Sequence, residues 1–87
     1  MITLKVFGKD QPDHPYEMLL DRAQRIAARF PAQVTVHEYE LGSEEALQLG
    51  VARAPALAID DKLIFVATVP TVGQIGSMVT AALAQAQ

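Results

Sequence analysis

The order of the first three segments constrains the fold of this chain more than any other feature. Residues 2 to 7, Ile-Thr-Leu-Lys-Val-Phe, mix β-branched and aromatic side chains and end at Gly8, so they predict a strand. From Pro15 to Phe30 the apolar period lengthens. Tyr16, Leu19, Leu20, Ala23, Ile26, Ala27 and Phe30 recur at three- and four-residue steps, as on one side of a helix that Pro31 ends. Residues 33 to 41 then alternate, with Val34, Val36 and Glu38 to one side and Thr35, His37 and Tyr39 to the other. Strand, helix and strand in succession make two parallel strands joined by a right-handed crossover. Imperfect alternation and charge put the second strand at a sheet edge.

The second half completes one sheet. Ser43 to Gly50 reads as a short helix with acids in its first turn and a glycine at its end. Residues 56–59 (ALAI) and 63–69 (LIFVATV) are apolar runs joined by Asp60-Asp61-Lys62, which predicts a tight hairpin. Thr71 and Gln74 have capping-box spacing just after Pro70, and Val72, Ile75, Met78, Val79, Ala82 and Leu83 form the stripe of a last helix. The expected order is β-α-β-α-β-β-α, an α/β domain with a four-stranded mixed sheet covered by helices. The apolar first strand is expected at its centre. At 87 residues the chain supports one domain, residues 1–87, with one core, and buries roughly 60% of its unfolded surface. No internal repeat, linker or low-complexity segment interrupts it, and the Ala/Gln tail from Ala81 to Gln87 is expected to fray.

Composition excludes more than it suggests. A chain 51% apolar and 20% charged is an ordinary globular sequence. No apolar run approaches the ~18 residues that cross a bilayer, and no signal-peptide layout opens the chain, so no membrane association is expected and a cytoplasmic location is the default. The net charge of −3 gives no electrostatic case for binding nucleic acid or anionic lipid. The cysteine count is zero. That removes dithiol–disulfide exchange, thiolate nucleophiles and every cysteine-based metal site.

Two stretches carry a family resemblance. Residues 50 to 60, Gly-Val-Ala-Arg-Ala-Pro-Ala-Leu-Ala-Ile-Asp, resemble the segment of thioredoxins and glutaredoxins in which a proline opens the third strand. His14-Pro15-Tyr16-Glu17 is similar to the Cys-Pro-Tyr-Cys of glutaredoxins with both cysteines replaced. The pattern over nearly the whole chain also resembles small glutaredoxin-like redox proteins. The resemblance implies a thioredoxin-like fold, a cis Ala54–Pro55 bond beside the active-site loop, and a first helix whose N-terminus stands where those enzymes hold their reactive cysteine.

In that register Pro15 is the first helical residue, His14 the N-cap and Glu17 the third helical residue, its carboxylate reaching back to the N-cap N–H. A residue before proline is pushed out of the α region, so neither Gln11 nor His14 is expected to be helical. A gapless comparison from Gly8 instead sets Gln11 and His14 in the two cysteine positions. Neither register contains a thiol.

The remaining polar residues have plain readings. His14, Asp13, Glu17 and His37 lack metal-ligand spacing, so no metal and no cofactor are expected. As a general base His14 would need a nucleophile within reach, for which Thr68 and Thr71 are the only nearby hydroxyls and carry no motif. The helix N-terminus attracts anions, but Asp10, Asp13 and Glu17 crowd it and repel an anionic ligand. Arg22, Arg25 and Arg29 fall at helical spacing as a solvated face, and Met18 and Met78 as core filler. The expected function is a redox-inactive thioredoxin-like domain, a protein- or peptide-binding or accessory module. Its candidate surface is Asp13, His14, Pro15, Tyr16, Glu17, Arg53, Ala54 and Pro55, within residues 10 to 17 and 53 to 56. Pro55 leaves a nearby strand edge open to an extended partner chain. The alternatives are an enzyme or a small-ligand binder taking a glutathione-like thiol in the groove around His14 and Pro55, and a subunit of a larger oxidoreductase.

Overall fold

A computed structural model of the chain describes residues 2–10 and 13–85. Its elements follow the expected order: β1 (Ile2–Phe7), α1 (His14–Arg29), β2 (Val34–Tyr39), α2 (Glu44–Leu49), β3 (Ala56–Ile59), β4 (Lys62–Val66) and α3 (Val72–Gln85). The four strands form one sheet in the order β2-β1-β3-β4. β1 pairs parallel with β2 and antiparallel with β3, and β3 pairs antiparallel with β4. The sheet is therefore mixed, with β1 inside it and β2 at an edge.

Alternation along β1 assigns the faces. Ile2, Leu4 and Val6 are buried against α1 and α3, together with Leu19, Ala23 and Ile26 of α1, Leu57 and Ile59 of β3, and Ile75 and Val79 of α3. Burying a side chain such as Leu19 or Ile26 stabilises by roughly 1.5–3 kcal/mol, so this face carries most of the core. Phe7 points the other way and packs with Ala46, Val51, Ala56 and Ala58 under α2. Tyr39 stacks on Phe7 at 5.5 Å between ring centroids.

The helix ends follow local chemistry with one correction. The Ser43 hydroxyl caps α2 by accepting from the Ala46 N–H at 3.2 Å, and Gly50 ends that helix in the left-handed conformation. Thr71 and Gln74 make both bonds of the capping box: the Thr71 N–H donates to Gln74 Oε1 at 2.8 Å, and the Gln74 N–H to Thr71 Oγ1 at 3.1 Å. In α1 the N-cap is Asp13, not His14. Its backbone is extended and its Oδ1 accepts from the Tyr16 N–H at 3.1 Å. His14 becomes the first helical residue, Pro15 the second and Glu17 the fourth. The carboxylate is the better cap acceptor, and a proline at the second position still lacks an N–H that no helical carbonyl would have accepted. That gain outweighs the disfavour that Pro15 places on a helical His14. Gln11 lies outside the described residues.

Two further expectations shift. The second apolar run of the hairpin is strand only to Val66, because Ala67 adopts φ 55 and turns the chain away. The β3–β4 ladder also skips Ile64, as in a bulge, so Ile64 and Phe65 both reach the α1/α3 side. The C-terminal tail, expected to fray from Ala81, is helical through Gln85; Ala86 and Gln87 lie outside the described residues.

Candidate functional site

Three segments meet beyond the carboxyl end of β1: the start of α1, the loop before β3 and the loop after β4. Open α/β sheets place ligands at this end of their strands. Gly8 joins the first two segments. It adopts φ +123, and a Cβ built on it would stand 2.9 Å from Ala54 Cβ and 3.1 Å from Tyr16 Cδ1. Only a residue without a side chain lets the helix and the loop approach this closely. The Gly8 and Lys9 N–H groups both donate to the Tyr39 carbonyl, at 2.9 and 3.1 Å, which fixes the chain as it leaves the sheet.

The Ala54–Pro55 peptide is cis, as expected. The third segment then closes on the second, because the Ala67 N–H donates to the Pro55 carbonyl at 2.8 Å. Ala67 is exposed and holds a left-handed backbone that an L-residue adopts at a cost of about 1–2 kcal/mol. Ala67, exposed Thr68 and half-buried Val69 thus form a third wall, within the apolar run 63–69 that predicts a strand. Nothing in Val-Ala-Thr-Val signals the turn, since the residue that takes the positive φ is alanine rather than glycine.

The eight residues expected to make the surface divide into two groups. Asp13, His14, Pro15, Glu17 and Arg53 are exposed and Ala54 is half-buried. Tyr16 and Pro55 are buried, so they support the surface instead of presenting to a partner; this corrects the expectation for both. The Tyr16 ring fills the space between Gly8 and the core, and its hydroxyl donates to Glu38 Oε1 at 2.5 Å. Burial first, then the hydrogen bond and the negative charge of Glu38, raise the Tyr16 phenol above its ordinary value. Tyr16 is therefore neutral and serves as an anchor between α1 and β2.

The acids do not act together. Asp13 Oδ1 is engaged as the helix cap, while Asp10 Oδ1 turns away to accept from the Leu41 N–H at 3.1 Å. Glu17 remains exposed in the first turn, where the helix dipole favours it. Among the described residues no three histidine, aspartate or glutamate side chains gather closely enough to hold a metal ion. No helix among them is long and apolar enough to cross a membrane.

The arginines of α1 depart from a uniform solvated face. Arg25 is exposed and pairs with Asp21 at 2.9 Å, and Arg29 is exposed. Arg22 is half-buried and its Nη1 donates to the Pro70 carbonyl at 2.9 Å. Helical spacing alone gave no signal for this contact, which joins residues far apart in the chain. Shallow grooves of about 340 and 590 Å³ run between α1 and α3, and none of the eight surface residues lines them.

No model of a known protein family matches this sequence, and no protein of curated function matches it.

Proposed function

We propose that this chain is a thioredoxin-like domain without thiol chemistry, which binds an extended protein or peptide segment. The binding surface is made by the first turn of α1, Arg53 and Ala54, and the loop at Ala67–Val69. The observation that carries the reading is this convergence of three walls at the carboxyl end of β1. Gly8 makes room for it, and the bond from Ala67 to Pro55 ties two of the walls together. Strand order, the two helices on one face and one on the other, and the proline at the start of β3 support the thioredoxin-like assignment. The Asp13 carboxylate is spent on capping the helix N-terminus, beside His14, which the resemblance sets in a cysteine position in either register.

Disulfide exchange needs an attacking thiolate, and none of the 87 residues supplies one. What the surface retains is exposed irregular backbone around Arg53 and Thr68, flanked by charges of both signs. Such a surface suits main-chain pairing with an extended segment, whose side chains then read the flanking charges. Two experiments test the proposal. Selection of peptides from a displayed library on the immobilised protein should enrich sequences whose binding is lost in Arg53→Glu and Glu17→Arg. Enrichment that both variants retain, or none at all, contradicts the surface. Insulin reduction by dithiothreitol should proceed at the uncatalysed rate, and acceleration above a heat-denatured control contradicts the non-enzymatic reading.

A further inference from the structure

Resting on that reading of the surface, we propose that Arg22 is its positioning residue: the guanidinium holds the 67–70 segment against α1 and so sets the third wall. Three ties close a ring around the surface. Tyr16 and Ala54 pack against Gly8 and join α1 to the loop before β3. The Ala67 N–H to Pro55 carbonyl bond joins that loop to the segment after β4. The Arg22 bond to the Pro70 carbonyl returns the segment to α1, and it is the tie that depends on a single side-chain hydrogen bond.

The chemistry of the segment leaves it dependent on this bond. Pro70 has no N–H, so its carbonyl is the only backbone polar group by which it can be held. The adjoining Thr71 N–H is already taken by Gln74. Thr68 and Val69 therefore span from the backbone tie at Ala67 to the side-chain tie at Pro70. The electrostatics of α3 do not account for the placement of Arg22. The groove that Arg22 and Arg25 line includes Thr71 and Val72 at the N-terminus of α3, where the helix dipole disfavours a cation. Asp21 lines the same groove but pairs with Arg25 at 2.9 Å, and the acceptor of the half-buried Arg22 guanidinium is the Pro70 carbonyl.

The test compares wild type, Arg22→Gln and Arg22→Lys by amide hydrogen exchange, and by the affinity of a fluorescein-labelled peptide enriched in the library selection. Losing a charge-assisted bond should speed exchange at the hydrogen-bonded Ala67 amide by about tenfold in Arg22→Gln and weaken peptide binding by a similar factor. Core amides at Leu4 and Val6 open only with global unfolding, in which the Arg22 bond is also lost, so they should speed by a similar factor. Ile2→Val, a core change far from the segment, should speed Leu4 and Val6 but leave Ala67 exchange and peptide affinity as in wild type. Lysine retains the charge and a donor, so Arg22→Lys should recover part of both effects. Unchanged exchange at Ala67 overturns the proposal, and so does an equal loss of Ala67 protection and peptide affinity in Ile2→Val, which would mark a merely global loss of stability. Should Arg22→Gln not fold, the comparison of Arg22→Lys with Ile2→Val at Ala67 decides in the same way. Failure to enrich any peptide sinks the surface reading, while the exchange measurements still judge Arg22.

Discussion

Gly8→Ala strikes the junction on which the candidate surface is built. The backbone there is at φ +123, a region that L-residues occupy at a cost of about 1–3 kcal/mol. The added methyl meets Ala54 Cβ at 2.9 Å and Tyr16 Cδ1 at 3.1 Å. Neither neighbour is the tip of a flexible side chain, and overpacking of this kind costs about 1–3 kcal/mol more. Alanine recovers only about 0.5–1 kcal/mol through the lower entropy of its unfolded chain. The net expected loss is about 3 kcal/mol, against a total stability of about 4–13 kcal/mol for a chain of this size. Urea unfolding should therefore show a midpoint lowered by more than about 1 M with an unchanged slope. Ala54→Gly removes the nearer obstacle, so Gly8→Ala should cost about 1 kcal/mol less in that background, while the backbone part of its cost persists. A loss below about 1 kcal/mol, or a cost indifferent to Ala54→Gly, would refute the close approach of helix and loop on which this reasoning depends.

Other substitutions test the supports around the junction. Asp13→Ala should cost about 1 kcal/mol through loss of the α1 cap, while His14→Ala stays within about 0.5 kcal/mol in the same urea titration; the reverse ranking would restore His14 as the cap. Tyr16→Phe should cost about 1 kcal/mol at neutral pH, since the exposed Glu38 regains water when the hydroxyl is gone. The raised phenol pKa adds a pH signature. The folded state keeps the Tyr16 proton where the unfolded chain releases it, so this stabilisation is full below about pH 10 and falls as pH rises above it. Thermal melts between pH 9 and 11, values chosen on the order of the free phenol pKa, should show a shallower decline for Tyr16→Phe than for wild type; parallel declines would contradict the burial of the phenol beside Glu38. Ala67→Gly should stabilise by about 0.5–1 kcal/mol, the left-handed cost removed less the entropy of glycine, and a loss of stability would dispute the turn at Ala67.

Much of the fold is legible in the sequence because its signals are local. The change of apolar period separates β1 from α1, and the Thr71–Gln74 spacing produced both capping bonds. Gly50 ends α2 in the conformation that glycine makes easy. Elsewhere two local signals compete or none exists. Asp13 and His14 both precede a proline-containing first turn, and only the carboxylate geometry decides which of them caps it. The chain leaves β4 at Ala67, an unlikely residue for positive φ, in the middle of an apolar run. The Arg22 contact with Pro70 and the Tyr16 contact with Glu38 are tertiary, and no periodicity announces them. The candidate surface was legible in its first two walls, through proline punctuation, and hidden in its third.

Binding of an extended segment at the carboxyl end of β1, across the three walls, is open to direct test. Titrating the ¹⁵N-labelled protein with a library-enriched peptide, and following the amide resonances, tests it most directly. Shifts should concentrate at Asp13, His14, Tyr16 and Glu17, at Arg53 and Ala54, and at Ala67–Val69, with α2 and the exposed side of α3 unaffected. Shifts that cluster instead along Gly73, Ser77, Thr80 and Ala84 in the α1/α3 groove would contradict it.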